Sequence, residues 1–479
     1  MMITVRKRHA LHLVALALGV GLIGIVWTQV IPIWTGQDEV AHFSYIQYIA
    51  EEKQLPQFTG EYTNTYIVSK TEEVEESTRV TGTDEVLWQL VLLKRSTHQE
   101  FPDTLLDSQI SIAHIQSAER EFTRDDFVNA AVAYNPPLYH AMLSSVYSLF
   151  YSESVLSRMF LLRFVSVLFA IGTALMSYLL ARSIFKRYDF ALALGVIVGF
   201  LPHVSYISAS VNPTGLFIFI STVFTYIAVR ILQSGWTLMR SLGLGLSVAL
   251  AILTRVEGAL LIPAALVLVI ITLIQKQNRW WQAYHFVLSQ ILVLALAAWW
   301  PIRNAYLYGS LMGKIPDDSI TTITGGAQSF AHVVGDILIR WNTLFETLWF
   351  RFWCCKEVGD TFSLPSLLFG VITLLAIYGL ICWIRSSVRS RKFGEKHTVM
   401  LYFTILLIIT EILFLAINLP DNGRYVLFLI GPIMILLMWG VTRLIAKSWY
   451  HIIYTMVATL MVLYNIAFLI GRAIPTYYL

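Results

Sequence analysis

The feature that most constrains this chain is a series of long apolar runs, separated by short polar loops in which the basic residues gather at every second junction. A backbone inside hydrocarbon has no water to bond to, so runs of about 20 apolar residues must close their own hydrogen bonds as helices. With 57% hydrophobic residues, 13% charged residues and a mean hydropathy of +0.65, the chain is too apolar to be soluble; a soluble domain carries roughly 25% charged residues. The expected fold class is an all-α integral membrane protein of about eleven transmembrane helices with a large first exterior loop.

Charge sets the expected orientation. Arg6, Lys7 and Arg8 precede the first run, 11–31, which places the N-terminus in the cytoplasm. That run is too long for the core of a signal peptide and no small-residue cleavage site follows, so it reads as an anchor. Residues 138–151 are apolar but shorter than the ~20 residues a span needs. The next run, 159–180, is followed by Arg182, Lys186 and Arg187, which belong inside, so it must begin outside. Residues 138–151 are therefore expected to be a re-entrant or interface helix. The runs 190–207, 217–232, 242–253, 259–274 and 286–300 then alternate in direction. A second exterior loop covers about 303–365, and the run 367–384 returns to the basic loop RSSVRSRKFGEK. The runs 401–417, 426–441 and 452–470 finish the chain. The divisions are thus 1–31, 32–158, 159–301, 302–365 and 366–479.

In the first exterior segment, 71–85 is expected to be a solvated acidic loop and 105–122 a helix against the membrane face. The net charge of +4 is small and its basic residues act as orientation signals, which argues against a nucleic-acid partner. Cys354, Cys355 and Cys382 cannot form a disulfide framework. No repeat of the inverted-transporter kind is visible.

The stretch WTGQDEVAHFSYIQYIAEEKQLP, 34–56, follows the first span directly, so Asp38 and Glu39 emerge where hydrocarbon gives way to water. Gly36 interrupts the preceding helix, and Val40, Phe43, Ile46, Ile49 and Ala50 recur at helical spacing, predicting an amphipathic helix along the interface. Acids are favoured at its start by the helix dipole, and His42 shares their face. The plain alternative is an N-terminal cap. Further costly polar residues fall at the same ends of the other runs: Asn135 and His140, His203 and Asn212, Arg255 and Glu257, Arg303 and Asn304, Arg424 with Asp421. Singly, an arginine there snorkels; together they suggest a site. Carboxylates can deprotonate a hydroxyl or bind a divalent cation, and arginines can hold a phosphate, which suits transfer from a lipid phosphate. For a cation, the only one of the usual cofactors these residues suggest, the visible ligands would be Glu39, Asn212 and Glu257.

Several motifs carry a family resemblance. An Asp-Glu pair after the first span, NPPLYH at 135–140, Asn212-Pro213, WWPIRNAYLYG at 299–309 and NGRYVLFLIGP at 422–432 together resemble the GT-C superfamily of membrane glycosyltransferases. Within it the likeness is to bacterial relatives of protein O-mannosyltransferases and aminoarabinose transferases. The resemblance implies an inverting transferase in the bacterial plasma membrane, working on the exterior face with a polyprenyl-phosphate sugar donor. It makes Asp38 the base, with Glu39 beside it, and brings Asn135, Pro136, Pro137, Tyr139, Arg303 and Arg424 to the donor. His42, Asn212, Arg255, Glu257, Asn304 and Tyr425 complete the expected substrate-binding set. The acceptor would be a lipid, a polysaccharide or a protein. One departure stands out: many relatives read Asn-Pro-Asp where this chain has Asn212-Pro213-Thr214, which weakens a metal role. The competing readings are a transporter or flippase of lipid-linked sugar and an inactive scaffold of the same fold.

Overall fold

Hydrocarbon-length apolar runs become helices here without exception. The computed structural model describes residues 2–33, 35–57, 134–153, 155–275, 278–311, 351–353, 364–390, 394–417 and 423–478, and contains no strand among them. The expected segments 71–85 and 105–122, together with Trp34, Cys354, Cys355 and Asp421, lie outside the described residues.

Helix α1 spans Met2–Val30, α2 Glu39–Glu52, α3 Leu138–Leu149 and α4 Val155–Phe185. A bent pair follows, α5 at Tyr188–Gly199 and α6 at Pro202–Ser208, then α7 at Thr214–Ser234 and α8 at Leu238–Thr254. After a 3-10 turn at Val256–Leu260 come α9 at Leu261–Gln275, α10 at Arg279–Ala297 and α11 at Trp299–Tyr308. The C-terminal part holds α12 at Leu364–Ser390, α13 at Glu395–Ile417, a 3-10 turn at Gly423–Leu429, α14 at Ile430–Thr442 and α15 at Tyr450–Phe468. Each of the eleven apolar runs is occupied by a helix or by the bent pair. Among the described residues seven helices are long and apolar enough to cross a membrane, and the bent pair would make an eighth if its two halves form one span. Helix α8, at 17 residues, is about 26 Å long, short of the roughly 30 Å of a bilayer core.

Packing follows from small residues and from one break. Pro202 has no N–H to continue α5, and the chain bends by 56° there. At the bend the Phe200 carbonyl accepts from Asn465 Nδ2 of α15 at 2.8 Å, while Asn465 Oδ1 accepts from Trp27 Nε1 of α1 at 3.0 Å. One buried amide thus ties three helices together. On the other side, α12 and α14 touch backbone to backbone: a Cβ on Gly440 would lie 2.2 Å from the Ala376 carbonyl oxygen.

Helix α3 has 12 residues, about 18 Å, too short to span, as the charge argument required. It packs against α2. The interface-lying picture of α2 needs correction, because all six residues from His42 to Gln47 are buried. A surface helix leaves its polar face in water; here that face is enclosed, and its polar groups find protein partners such as His140 and the Asn135 carbonyl.

Candidate active site

The turn into α2 gives the two neighbouring acids opposite surroundings. Gly36 sits so close to Ser210 and Glu39 that a Cβ would fall 2.6 Å from one and 2.9 Å from the other. Asp38 then adopts φ 55° and ψ 18°, the left-handed region, which disfavours most residues but tolerates aspartate. Its carbonyl starts the helix by accepting from His42 N at 3.1 Å, yet its side chain does not cap it. The simple capping role is thereby ruled out for the carboxylate. It turns outward and accepts from Arg424 Nη1 at 2.8 Å, with 51% of the Asp38 side chain exposed.

Glu39 points inward. Its Oε1 accepts from Arg163 Nε at 2.8 Å and from Val211 N at 2.9 Å, and its Oε2 from Arg163 Nη2 at 2.6 Å and Gly36 N at 3.3 Å. Arg163 in turn donates to the Thr28, Ile31 and Pro32 carbonyls at the end of α1. Both side chains have 0% exposure. Arg163 absorbs carbonyls that a helix end leaves unpaired and pins them to the start of α2.

Around Asp38 the chain closes a ring of contacts. Asn212 Nδ2 donates to the Gln37 carbonyl at 2.8 Å, and its Oδ1 accepts from Thr214 N at 2.9 Å. The Thr214 hydroxyl accepts from Arg255 Nη1 at 2.6 Å, and Arg255 grips both oxygens of Glu257 at 3.0 and 2.7 Å. The Arg255 guanidinium lies 5.8 Å from the Tyr425 ring centre and that of Arg424 5.2 Å, so one aromatic ring joins the two cations. Arg424 returns the ring to Asp38. At the position where relatives carry an acid, Thr214 meets an arginine whose charge is balanced by Glu257 instead.

A second set supports this ring from the side. His42 Nδ1 and His140 Nε2 are 3.0 Å apart in a buried pair, and Tyr45 stacks on His140 with ring centres 4.0 Å apart. Burial, and the charges of Arg255 and Arg424, hold His42 well below its ordinary pKa; burial does the same for His140. Both rings are neutral at pH 7. Pro137 precedes α3 and its carbonyl accepts from Ala141 N at 2.8 Å, while Pro136 is buried beside it. The Tyr139 hydroxyl shares a hydrogen bond with Ser166 Oγ at 2.8 Å. Two groups expected at a substrate instead bind backbone at the edges of the first loop, Arg303 Nη2 donating to the Pro56 carbonyl and Asn304 Nδ2 to that of Tyr134, while the Asn135 carbonyl accepts from Tyr45 OH. Asp38, Asn212, Arg255, Glu257, Arg424 and Tyr425 are brought together, whereas Arg303 and Asn304 join the loop braces. His203 is buried within α6.

The oxygen ligands proposed for a cation do not fit one. Glu39 and Glu257 each face an arginine with both oxygens, and Asn212 uses both ends of its amide on the backbone and its neighbour. A divalent cation wants several free oxygens at one point. Among the described residues no group of three or more metal-ligating side chains occurs.

Sequence reading missed Arg163, although an arginine inside an apolar run is itself the signal, since a charge at that depth needs a partner.

A helical bundle whose acids and arginines converge at one end is in keeping with the GT-C resemblance, and a family comparison bears on part of the chain. More particularly, residues 134–301 match the dolichyl-phosphate-mannose-protein mannosyltransferase family. Three solved structures are also similar. The Archaeoglobus fulgidus oligosaccharyltransferase, in complex with Zn and sulfate, aligns at 13% identity and TM-score 0.40 over 72% of this chain and 44% of its own. The oligosaccharyltransferase AglB from the same archaeon, bound to an inhibitory peptide and a dolichol-phosphate, gives 14%, 0.43, 72% and 48%. ArnT from Cupriavidus metallidurans bound to undecaprenyl phosphate gives 15%, 0.39, 72% and 64%. The chain therefore spans less than two thirds of each of these proteins. No curated protein matches it at significant similarity.

Proposed function

We propose that the chain transfers a sugar from a polyprenyl-phosphate donor to a hydroxyl-bearing acceptor, with inversion, on the exterior face of a bacterial plasma membrane. The observation that carries this reading is the Asp38–Arg424 contact, which places an exposed carboxylate against a cation from the far end of the sequence. Such a pair serves two reacting atoms at once. Arg424, with Arg255 across the Tyr425 ring, receives the charge of the leaving phosphate as the bond from the anomeric carbon to the phosphate oxygen breaks. The acceptor oxygen forms its bond to the opposite face of that carbon, and its proton passes to Asp38. A donor phosphate that draws Arg424 away would leave the carboxylate of Asp38 ready to take that proton. No step uses a metal, because the candidate ligands are already held by arginines and backbone.

The test is purified protein incubated with a radiolabelled polyprenyl-phosphate sugar and a panel of lipid, polysaccharide and peptide acceptors. The expected result is a labelled acceptor with inverted anomeric configuration. Arg424→Lys should raise the donor KM or lower turnover by about tenfold, since a point charge does not reproduce a two-pronged contact. Donor carried across vesicles without any transfer would favour the flippase reading instead.

A further inference from the structure

The end of the bundle opposite Asp38 gathers charge of one sign. Helix α4 runs from Arg163, which braces the turn into α2, to Phe185, about 33 Å farther along its axis. There Phe185 packs against Trp439 of α14 with ring centres 4.7 Å apart, and Trp439 meets Trp383 of α12 edge to face at 6.0 Å. Two cations converge on these rings. The Arg443 guanidinium carbon lies 3.5 Å from the Trp439 ring centre and 5.7 Å from that of Trp383. Lys396 Nζ, from α13, lies 5.6 Å from the Trp439 ring centre and 5.5 Å from that of Phe185. Lys186, the residue after Phe185, adds a third positive charge that acts on Lys396. An indole attracts one cation, but a second on the same ring is repelled by the first. Arg187, at the same end, is neutralised by Asp189; among the described residues neither Lys396 nor Arg443 has a carboxylate partner, and Glu395 beside Lys396 forms no ion pair with it. The Trp439 indole N–H is also buried without an acceptor. Orientation of the chain needs positive loops, but it does not need the charges brought together over one ring.

We propose that Lys396 and Arg443, on the Trp439 and Trp383 rings, bind the phosphodiester headgroup of an anionic phospholipid. A phosphate accepts from both cations and cancels their mutual repulsion. Both side chains are exposed, so a headgroup reaches them from outside the bundle. Exposed apolar side chains stand beside them: Ile384 next to Trp383, Leu401 one turn after His397, and Leu444 next to Arg443. His397 stacks on Trp383 with ring centres 4.5 Å apart. Acyl chains would lie on that apolar surface, which a soluble phosphate would leave uncovered. A zwitterionic headgroup carries an ammonium beside its phosphate, and the cluster has no acidic partner to receive it, so an anionic lipid is favoured. The site is separate from the Asp38 centre and does not depend on the transferase reading.

The test is native mass spectrometry of the full-length protein in detergent, offered equal amounts of phosphatidylglycerol and phosphatidylcholine with the same acyl chains. The parent should retain phosphatidylglycerol in preference. Lys396→Gln combined with Arg443→Gln should weaken phosphatidylglycerol binding about tenfold and leave phosphatidylcholine binding as it was. The single change Lys396→Gln, at an exposed side chain, should already cost about threefold, so the proposal does not hang on the folding of the double variant. Net charge is controlled by Arg279→Gln. Gln275 Nε2 of α9 donates to Thr398 Oγ1 of α13 at 2.9 Å, which brings the α9–α10 junction, and exposed Arg279 with it, to the same end of the bundle. Arg279→Gln should keep the parental preference. A loss there equal to that of the double variant would replace the site by a diffuse potential and overturn the proposal. Equal retention of the two lipids by the parent, or parental affinity in Lys396→Gln, would also overturn it. Displacement of the bound lipid by excess inorganic phosphate would refute the lipid assignment and give the cluster to a soluble anion.

Discussion

Asp38 and Glu39 are neighbours in sequence with opposite burdens. Successive helical residues project about 100° apart, so one can face solvent while the other faces the core. Glu39 is fully enclosed with Arg163, and removing either member strands the other charge. Glu39→Gln should lower unfolding stability by about 3–5 kcal/mol. Asp38→Asn removes a half-exposed ion pair and should cost within about 1 kcal/mol. Denaturation in detergent, comparing the two variants side by side, checks this; equal and small losses would remove Glu39 from its bracing role. The paired acids were legible in the sequence because they stand at the end of the first run. Arg163 was not matched to Glu39, because the pair is separated by 124 residues and no local pattern joins them.

At the scale of elements, the short helix α3 was legible because its length and the flanking charges agree. The enclosed face of α2 was not legible, since its polar residues look the same whether water or another helix receives them. The bent pair α5–α6 shows a third case. Pro202 announces the break, but the amide that bonds there comes from α15. Asn465→Leu should leave both the Phe200 carbonyl and the Trp27 indole N–H without a partner and cost about 1–3 kcal/mol. The check is the thermal midpoint of the purified variant; an unchanged midpoint would mean that the three helices are held without this amide.

Over the whole molecule, the alternation of basic loops gives an expected orientation, with the end of the bundle that holds Asp38 facing outward. In protein whose Cys354, Cys355 and Cys382 have been replaced by serine, a cysteine at Thr81 should react with an impermeant reagent in intact cells and one at Ser387 should not. Reaction at both positions alike would contradict that orientation. The segment 138–151 was legible as a non-spanning helix, because run length and charge are global signals. The ring from Gln37 through Asn212, Thr214, Arg255 and Tyr425 to Arg424 was only partly legible, because it is closed by contacts between distant segments. The central claim is that Asp38 is the base of a sugar transfer. The most direct measurement is the initial transfer rate of Asp38→Asn against the parent at matched folding and donor binding, using the labelled polyprenyl-phosphate sugar. The account predicts a fall of about 100-fold or more; transfer at the parental rate would contradict it.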